Sequence, residues 1–298
     1  MSRQKLAVML GLVLVALPVA AAPLTILYTN DLHLRFERLG SLERIITEQR
    51  ESAGDLLLLD AGDTWQDFRQ PIAAVWGADE MVEWMNRAGY DAMALGNHDF
   101  YWGAERLAEL AAQGRFALLC SSLRPIPGSR APFAPAATLD LGGLSVHVVG
   151  LTTCEYHAFS AMPWLQYVPP VEALQTELAR RPEGVDLTIV LAHIPVADAI
   201  AVARRVPGID VFITGHSHEE TREPLVIGGT AIVQSGCFGR MLGRLDLEIE
   251  PTGGYRVVGH RLIPTEKAPA EIGRGLRQLA RVLAALSLSV LLVVSSFR

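Results

Sequence analysis

Eight short apolar runs recur along the chain and are separated by stretches of helical period: TILYTN (25–30), DLLLLDAG (55–62), DAMALG (91–96), FALLCS (116–121), LSVHVVGLTT (144–153), VDLTIVLAH (185–193), DVFITG (210–215) and TAIVQSG (230–236). A run that is apolar at nearly every position, not at every second one, is the mark of a strand covered on both faces. Such strands alternating with helices restrict the chain to an α/β fold. Segment 78–89 places Met81, Val82, Trp84, Met85 and Ala88 at helical spacing and ends at Gly89, a helix stop. Segments 171–181 and 196–206 read as helices too, and 122–138, with Pro125, Pro127, Pro132 and Pro135, reads as an irregular surface loop.

Composition excludes some function classes. The formal net charge is −6, and only Lys5 and Lys267 are lysines among 26 basic residues, so no basic stripe marks an obligate nucleic-acid partner. Cys120, Cys154 and Cys237 lack C-x-x-C spacing, which excludes a thiolate zinc site and allows at most one disulfide.

The two ends differ from the body. Arg3 and Lys5, an apolar run from Leu6 to Pro18, and the small residues Val19 to Ala22 have the order of a secretory signal cleaved after Ala21. The expected location is the bacterial periplasm or envelope. Residues 282–297 carry no charge and lie between Arg281 and Arg298. As a helix they reach about 24 Å against a hydrocarbon core of about 30 Å, so a packed terminal helix and a weak membrane anchor are equal expectations.

The acids and histidines fall at the carboxyl ends of the strand runs: Asn30-Asp31-Leu32-His33, Gly62-Asp63, Gly96-Asn97-His98-Asp99, His193 and Gly215-His216-Ser217-His218. In open α/β sheets that edge binds ligands, so segments distant in sequence meet there. Asp31, Asp63, Asp99, Asn97, His33, His98, His193, His216 and His218 form an oxygen and nitrogen donor set suited to manganese, iron, zinc, cobalt or nickel. Nine donors are too many for one ion, and a two-ion site sharing a carboxylate is the economical arrangement. Each motif alone is more often a turn or cap; their ordered combination carries the metal assignment.

This ordered series resembles the calcineurin-like metallophosphoesterase superfamily. More narrowly, YTNDLH (28–33), LDAGDTWQ (59–66), MNRAGYDAMALGNHDF (85–100) and VQSGCFGRMLGRLDL (233–247) resemble the catalytic domain of secreted 5′-nucleotidases. The resemblance covers roughly residues 24 to 264. It implies a four-layer α/β/β/α sandwich of the metallo-dependent phosphatase type. The division is then a signal peptide over 1–21, a catalytic domain over 22–264 and an apolar helical tail over 265–298. It further implies one divalent ion held by Asp31, His33, Asp63 and His218, and a second held by the shared Asp63 with Asn97, His193 and His216. The metals would be manganese, zinc, iron or cobalt. A water or hydroxide between the ions is the implied nucleophile. His98 is the implied acid for the leaving alkoxide, within a catalytic turn of Asn97, His98 and Asp99.

The chain departs from that pattern in places. Where the nucleotidases commonly have an acid three positions after the catalytic histidine, this chain has Tyr101; Asp67, which stands where the family usually has glycine, is the alternative acid for orienting His98. Only 34 residues follow Pro264, so the base-stacking C-terminal domain of the nucleotidases is not expected, nor is its nucleoside recognition. The expected substrate is a small phosphorylated molecule, first a phosphate monoester. The alternatives are phosphodiester hydrolysis at the same centre and a non-catalytic metal-binding envelope protein that attaches to a membrane through residues 282–297.

Overall fold

A computed structural model describes residues 21–66, 71–101, 103–153, 162–250 and 253–268, with the backbone alone for 71–76. Residues 1–20, where the expected signal segment falls, the apolar tail, Asp67, Trp102, Cys154 and His157 lie outside the described residues. The first half of the chain runs β1 (Ala22–Thr29), α1 (Phe36–Ser52), β2 (Asp55–Asp60), α2 (Pro71–Ala88), β3 (Ala92–Ala94), α3 (Gly103–Gln113), β4 (Ala117–Leu119) and β5 (Leu123–Pro125). It continues through β6 (Ala136–Leu141), β7 (Leu144–Thr152), β8 (Leu165–Tyr167), α4 (Pro170–Ala179), β9 (Leu187–His193) and α5 (Val196–Ala203). The last elements are β10 (Val211–Thr214), β11 (Leu225–Ile227), β12 (Thr230–Val233), β13 (Met241–Ile249) and β14 (Tyr255–Pro264).

Two six-stranded sheets form, in the orders β14-β13-β1-β2-β3-β4 and β11-β12-β10-β9-β7-β6, with β5 and β8 paired separately. Strands β1 to β4 are parallel, as are β7, β9, β10 and β12, and antiparallel strands close the other edges. The sheets pack face to face. Ile26, Leu57 and Leu59 of the first meet Val146, Val148, Ile189, Leu191 and Ile213 of the second in one buried cluster. Their neighbours in sequence point the other way, as the period of two in a strand requires. Leu27 and Leu58 lie under Leu42 and Ile46 of α1 and Met81 and Met85 of α2. Val149, Val190 and Phe212 lie under Leu174 of α4 and Ala199 of α5. The order is helix, sheet, sheet, helix, and it explains why the eight runs are apolar on both faces at most positions. Gly150 allows β7 to approach β4 closely, since a Cβ there would sit 2.4 Å from the Leu119 carbonyl carbon.

All eight strand runs are strands. Segment 122–138 is not wholly irregular: Leu123–Pro125 pairs with Leu165–Tyr167, and β6 begins at Ala136. The hairpin of β13 and β14 lies outside the eight runs because β13 is not a continuous apolar run: Arg244, Asp246 and Glu248 alternate with buried Leu245, Leu247 and Ile249, the period of a strand with one face less covered. Gly89 ends α2 with φ 75°, the left-handed geometry of a helix stop. No helix among the described residues is long and apolar enough to cross a membrane.

Candidate metal centre

Where β1 ends, the backbone turns left-handed at Asp31, His33 and Leu34, with φ of 52°, 47° and 55°. Side chains other than glycine resist this conformation by about 1–3 kcal/mol each, and such strain collects at functional sites. Tertiary hydrogen bonds hold it. The N–H groups of Asp31, His33 and Leu34 donate to the carbonyls of Gly62, Asp63 and Thr64 at 2.8, 2.9 and 3.3 Å, zipping the β1 loop to the β2 loop. Asn30, buried beside them, donates through Nδ2 to Asp31 Oδ2 (2.7 Å) and the Gly236 carbonyl (2.6 Å), and accepts from Ser235 N–H and Oγ.

Asp63 is left-handed too, at φ 57°. Its loop is gripped by two buried carboxylates. Asp60 accepts from Gly62 N–H and the hydroxyls of Thr64 and Thr29. Asp99 accepts from four N–H groups, those of Asp63 (2.9 Å), Thr64 (3.2 Å), Trp65 (2.9 Å) and Gly96 (2.8 Å). Burial pushes the Asp60 carboxyl up to about 7 and that of Asp99 up to about 6, the Asp63 charge adding to the latter. Gly96 must lack a side chain, because a Cβ would lie 2.1 Å from Asp63 Oδ1.

From the second sheet, β9 delivers His193 at its last residue, and the loop after β10 delivers His216 and His218, both left-handed at φ 71° and 60°. Gly215 lets this loop close over the first sheet, since a Cβ there would stand 2.8 Å from His193 Nδ1 and 3.1 Å from Asp31 Oδ2. The His216 N–H donates to Asp31 Oδ2 at 2.9 Å.

These elements bring the ligand atoms of Asp31, His33 and His218 together, and likewise those of Asp63, His193 and His216, every atom within 4.8 Å of the others in its group. A third such group joins His33, Asp63 and His98. Asp63 spends Oδ1 on the His98 N–H (2.8 Å) and turns Oδ2 to His193 Nε2 (3.1 Å), His33 Nε2 (3.8 Å) and His98 Nε2 (3.8 Å). Asp31 Oδ1 faces His218 Nε2 (3.2 Å), His33 Nε2 (3.6 Å) and His193 Nε2 (3.9 Å). His193 Nε2 is buried and makes no hydrogen bond despite its closeness to Asp63, while its Nδ1 lies 2.9 Å from the Ala61 carbonyl. With that Nδ1 donating, the ring's lone pair faces the carboxylates, an arrangement that suits a cation between them.

The electrostatics agree. Burial alone would raise Asp31 and Asp63, but the surrounding imidazoles, His193 foremost, hold both below the usual carboxylate range. Against the opposing effect of burial, the charges of Asp63 and Asp31 lift His193 to about 10. The hydrogen bond to Asp31 leads in lifting His218 to about 10. A pocket that draws protons onto its histidines draws divalent cations by the same field.

Of the nine residues singled out in the sequence, eight present a side-chain atom to this cluster or its rim. Asn97 joins through Oδ1, 3.1 Å from His216 Nδ1. Asp99 is the exception: its carboxylate is spent on backbone N–H groups and neither orients His98 nor faces the cluster. The Tyr101 ring packs 4.6 Å from that of His98, at the position where the nucleotidase pattern has an acid. Phe238, also left-handed, lies 5.5 Å from His33 and 5.3 Å from His218, under the Arg35 guanidinium at 4.5 Å. Among the described residues Cys120 and Cys237 are free thiols. Sequence reading gave no role to Asn30, Asp60 and Gln234, although each lies within a quoted motif at the end of an apolar run.

A sequence profile described as calcineurin-like phosphoesterase matches residues 24–220. A snake venom 5′-nucleotidase of Gloydius brevicauda is 32% identical over 286 residues, a match covering 80% of this chain and 47% of that protein. The chain thus spans about half the length of the curated relatives it matches. Among solved structures, the NAD nucleotidase of Haemophilus influenzae superposes with a TM-score of 0.75 at 20% identity, covering 82% of this chain and 57% of that one. The 5′-nucleotidase precursor of Thermus thermophilus gives 0.68 at 25% identity, covering 90% and 60%.

Proposed function

Since the chain belongs to the calcineurin-like phosphoesterase family, we propose that it hydrolyses phosphate monoesters, nucleotides among them, on a pair of divalent metal ions. The observation that carries this is that Asp63 Oδ2 faces both His193 of its own ligand group, Asp63, His193 and His216, and His33 of the other, Asp31, His33 and His218. Asp31, His33, Asp63 and His218 would hold one ion, and Asp63, Asn97, His193 and His216 the other. Oxygen and nitrogen donors suit manganese, zinc, iron or cobalt. When bound, such a pair supplies an activated water as nucleophile and neutralises charge on the phosphoryl oxygens.

The chain's own residues do the rest. The His98 N–H bond to Asp63 Oδ1 keeps Oδ2 turned to the centre, and the His193 Nδ1 contact with Ala61 fixes that ring's orientation. His98 Nε2, on the centre's rim, is placed to give a proton to the departing alkoxide. Its replacement by alanine is expected to slow an alkyl phosphate by about 10²–10⁴-fold, the usual worth of a positioned acid. p-Nitrophenyl phosphate, whose leaving group needs no proton, should slow far less. Equal losses on both substrates would remove the acid role.

Nucleotide substrates are supported by the relatives, and export by the N-terminal pattern and the precursor nature of the Thermus protein. The envelope location and a membrane contact through residues 282–297 follow from the sequence pattern. The deciding experiment strips the chain lacking residues 1–21 of metal and restores manganese, cobalt or zinc. Phosphate release from p-nitrophenyl phosphate should return with metal and be absent in His216→Ala. Faster hydrolysis of the bis-ester would shift the assignment to a phosphodiesterase. Two bound ions without turnover of either ester would shift it to a metal-binding envelope protein.

A further inference from the structure

The loop that carries His216 and His218 has left-handed backbone at both histidines and lies between β10 and β12, with no helix or strand of its own until Leu225. Such a loop needs outside support if two imidazoles are to be held where metal ligands must be, within about 0.5 Å. One buried side chain gives it. Gln234, fully enclosed just past β12, donates from Nε2 to the Thr214 hydroxyl and the Gly215 carbonyl, both at 2.8 Å. Its Oε1 accepts the Glu219 N–H, and the Ser217 hydroxyl lies 3.3 Å from both amide atoms. Its main chain holds the far end, Gln234 N–H donating to the Thr221 hydroxyl (2.7 Å) and the Gln234 carbonyl accepting the Thr221 N–H (3.0 Å).

We infer that Gln234 is a positioning residue for both metal ions, its amide clamping Thr214, Gly215, Ser217 and Glu219 so that His216 and His218 are presented together. The inference rests on the metal assignment proposed above. Gln234 touches neither ion nor substrate; it acts through the loop. An amide suits the place because the loop presents a carbonyl and a hydroxyl on one side and an N–H on the other, which no carboxylate or hydrocarbon of that size can satisfy together.

The test is Gln234→Met, close in volume and without hydrogen bonds, with Gln234→Glu, which keeps the acceptor for Glu219, as the second variant should the first fail to fold. In metal-free protein, amide hydrogen exchange over residues 214–221 should speed up in either variant while exchange in β1 and β9 stays as in the wild type. Titration calorimetry with Mn²⁺ should show dissociation constants raised about 10–100-fold, the usual loss for an outer partner of a ligand, with activity recovering at high Mn²⁺. Wild-type exchange over 214–221, or an unchanged Mn²⁺ affinity beside a uniformly lowered melting temperature, would overturn the inference and leave Gln234 a packing residue. Failure of the wild type itself to bind Mn²⁺ would overturn the metal assignment, while the exchange measurement would still decide whether Gln234 clamps the loop.

Discussion

Asp63→Asn is expected to lower kcat/KM for p-nitrophenyl phosphate by at least about 10³-fold, equivalent to about 4 kcal/mol of transition-state stabilisation. Through Oδ2, Asp63 faces ligand atoms of both groups, His193 Nε2 at 3.1 Å and His33 Nε2 at 3.8 Å. Its other oxygen already accepts the His98 N–H at 2.8 Å. An asparagine therefore has two choices, and neither serves. If its carbonyl keeps the His98 bond, an NH₂ faces the cluster; if the amide is turned over, the NH₂ meets the His98 N–H donor to donor. In both cases the shared negative charge is gone, so calorimetry should find fewer than two Mn²⁺ per chain. The fold should persist, because the backbone of this loop is held by Asp60 and Asp99 and not by the Asp63 side chain. Two ions bound at wild-type affinity with a rate within tenfold would refute the shared-carboxylate assignment.

Asp99→Ala should damage the protein in another way. It takes the acceptor from four buried N–H groups, those of Asp63, Thr64, Trp65 and Gly96. Each buried donor left unsatisfied costs about 1–3 kcal/mol. Even at the low end the sum is about 4 kcal/mol, which for a domain of this size lowers the melting temperature by about 10 °C. The loss should appear in metal-free protein, where an effect on catalysis alone would leave no trace. Asp99→Asn, which keeps one acceptor oxygen, should fall between. A melting temperature for the alanine variant within about 2 °C of wild type, with activity lost, would return Asp99 to the catalytic role that its place beside His98 suggested.

The contrast between these two aspartates shows what a sequence discloses. Both follow an apolar run at the carboxyl edge, and both belong to motifs of the calcineurin-like series. The structure turns the Asp63 carboxylate to the histidines and the Asp99 carboxylate to backbone N–H groups; adjacency to His98 says nothing of where a carboxylate turns. In a 3-10 turn such as His98–Phe100 successive side chains diverge, and Asp99 points back beneath the Asp63 loop. Tyr101 makes the same point from the other side: the position three residues after His98 does approach its ring, at 4.6 Å, but with an aromatic face and not an acid.

Sequence by itself determined the α/β class, the eight core strands, and the donor chemistry with its place. Strands covered on both faces are apolar throughout, so the abrupt change to Asp, Asn, His and Gly at their ends stands out against the run before it. Only the tertiary structure decided how those donors are held. Asn30, Asp60, Asp99 and Gln234 are single polar residues inside the quoted motifs, and nothing in a motif says which way such a side chain turns. Their roles depend on which buried N–H and carbonyl groups remain unpaired when the loops at the strand ends close over one another. The left-handed turns at Asp31, His33, Asp63, His216 and His218 arise in the same way. Aspartate and histidine tolerate that backbone better than most side chains, but the hydrogen bonds between loops from distant parts of the chain impose it, and those exist only once the strands are assembled.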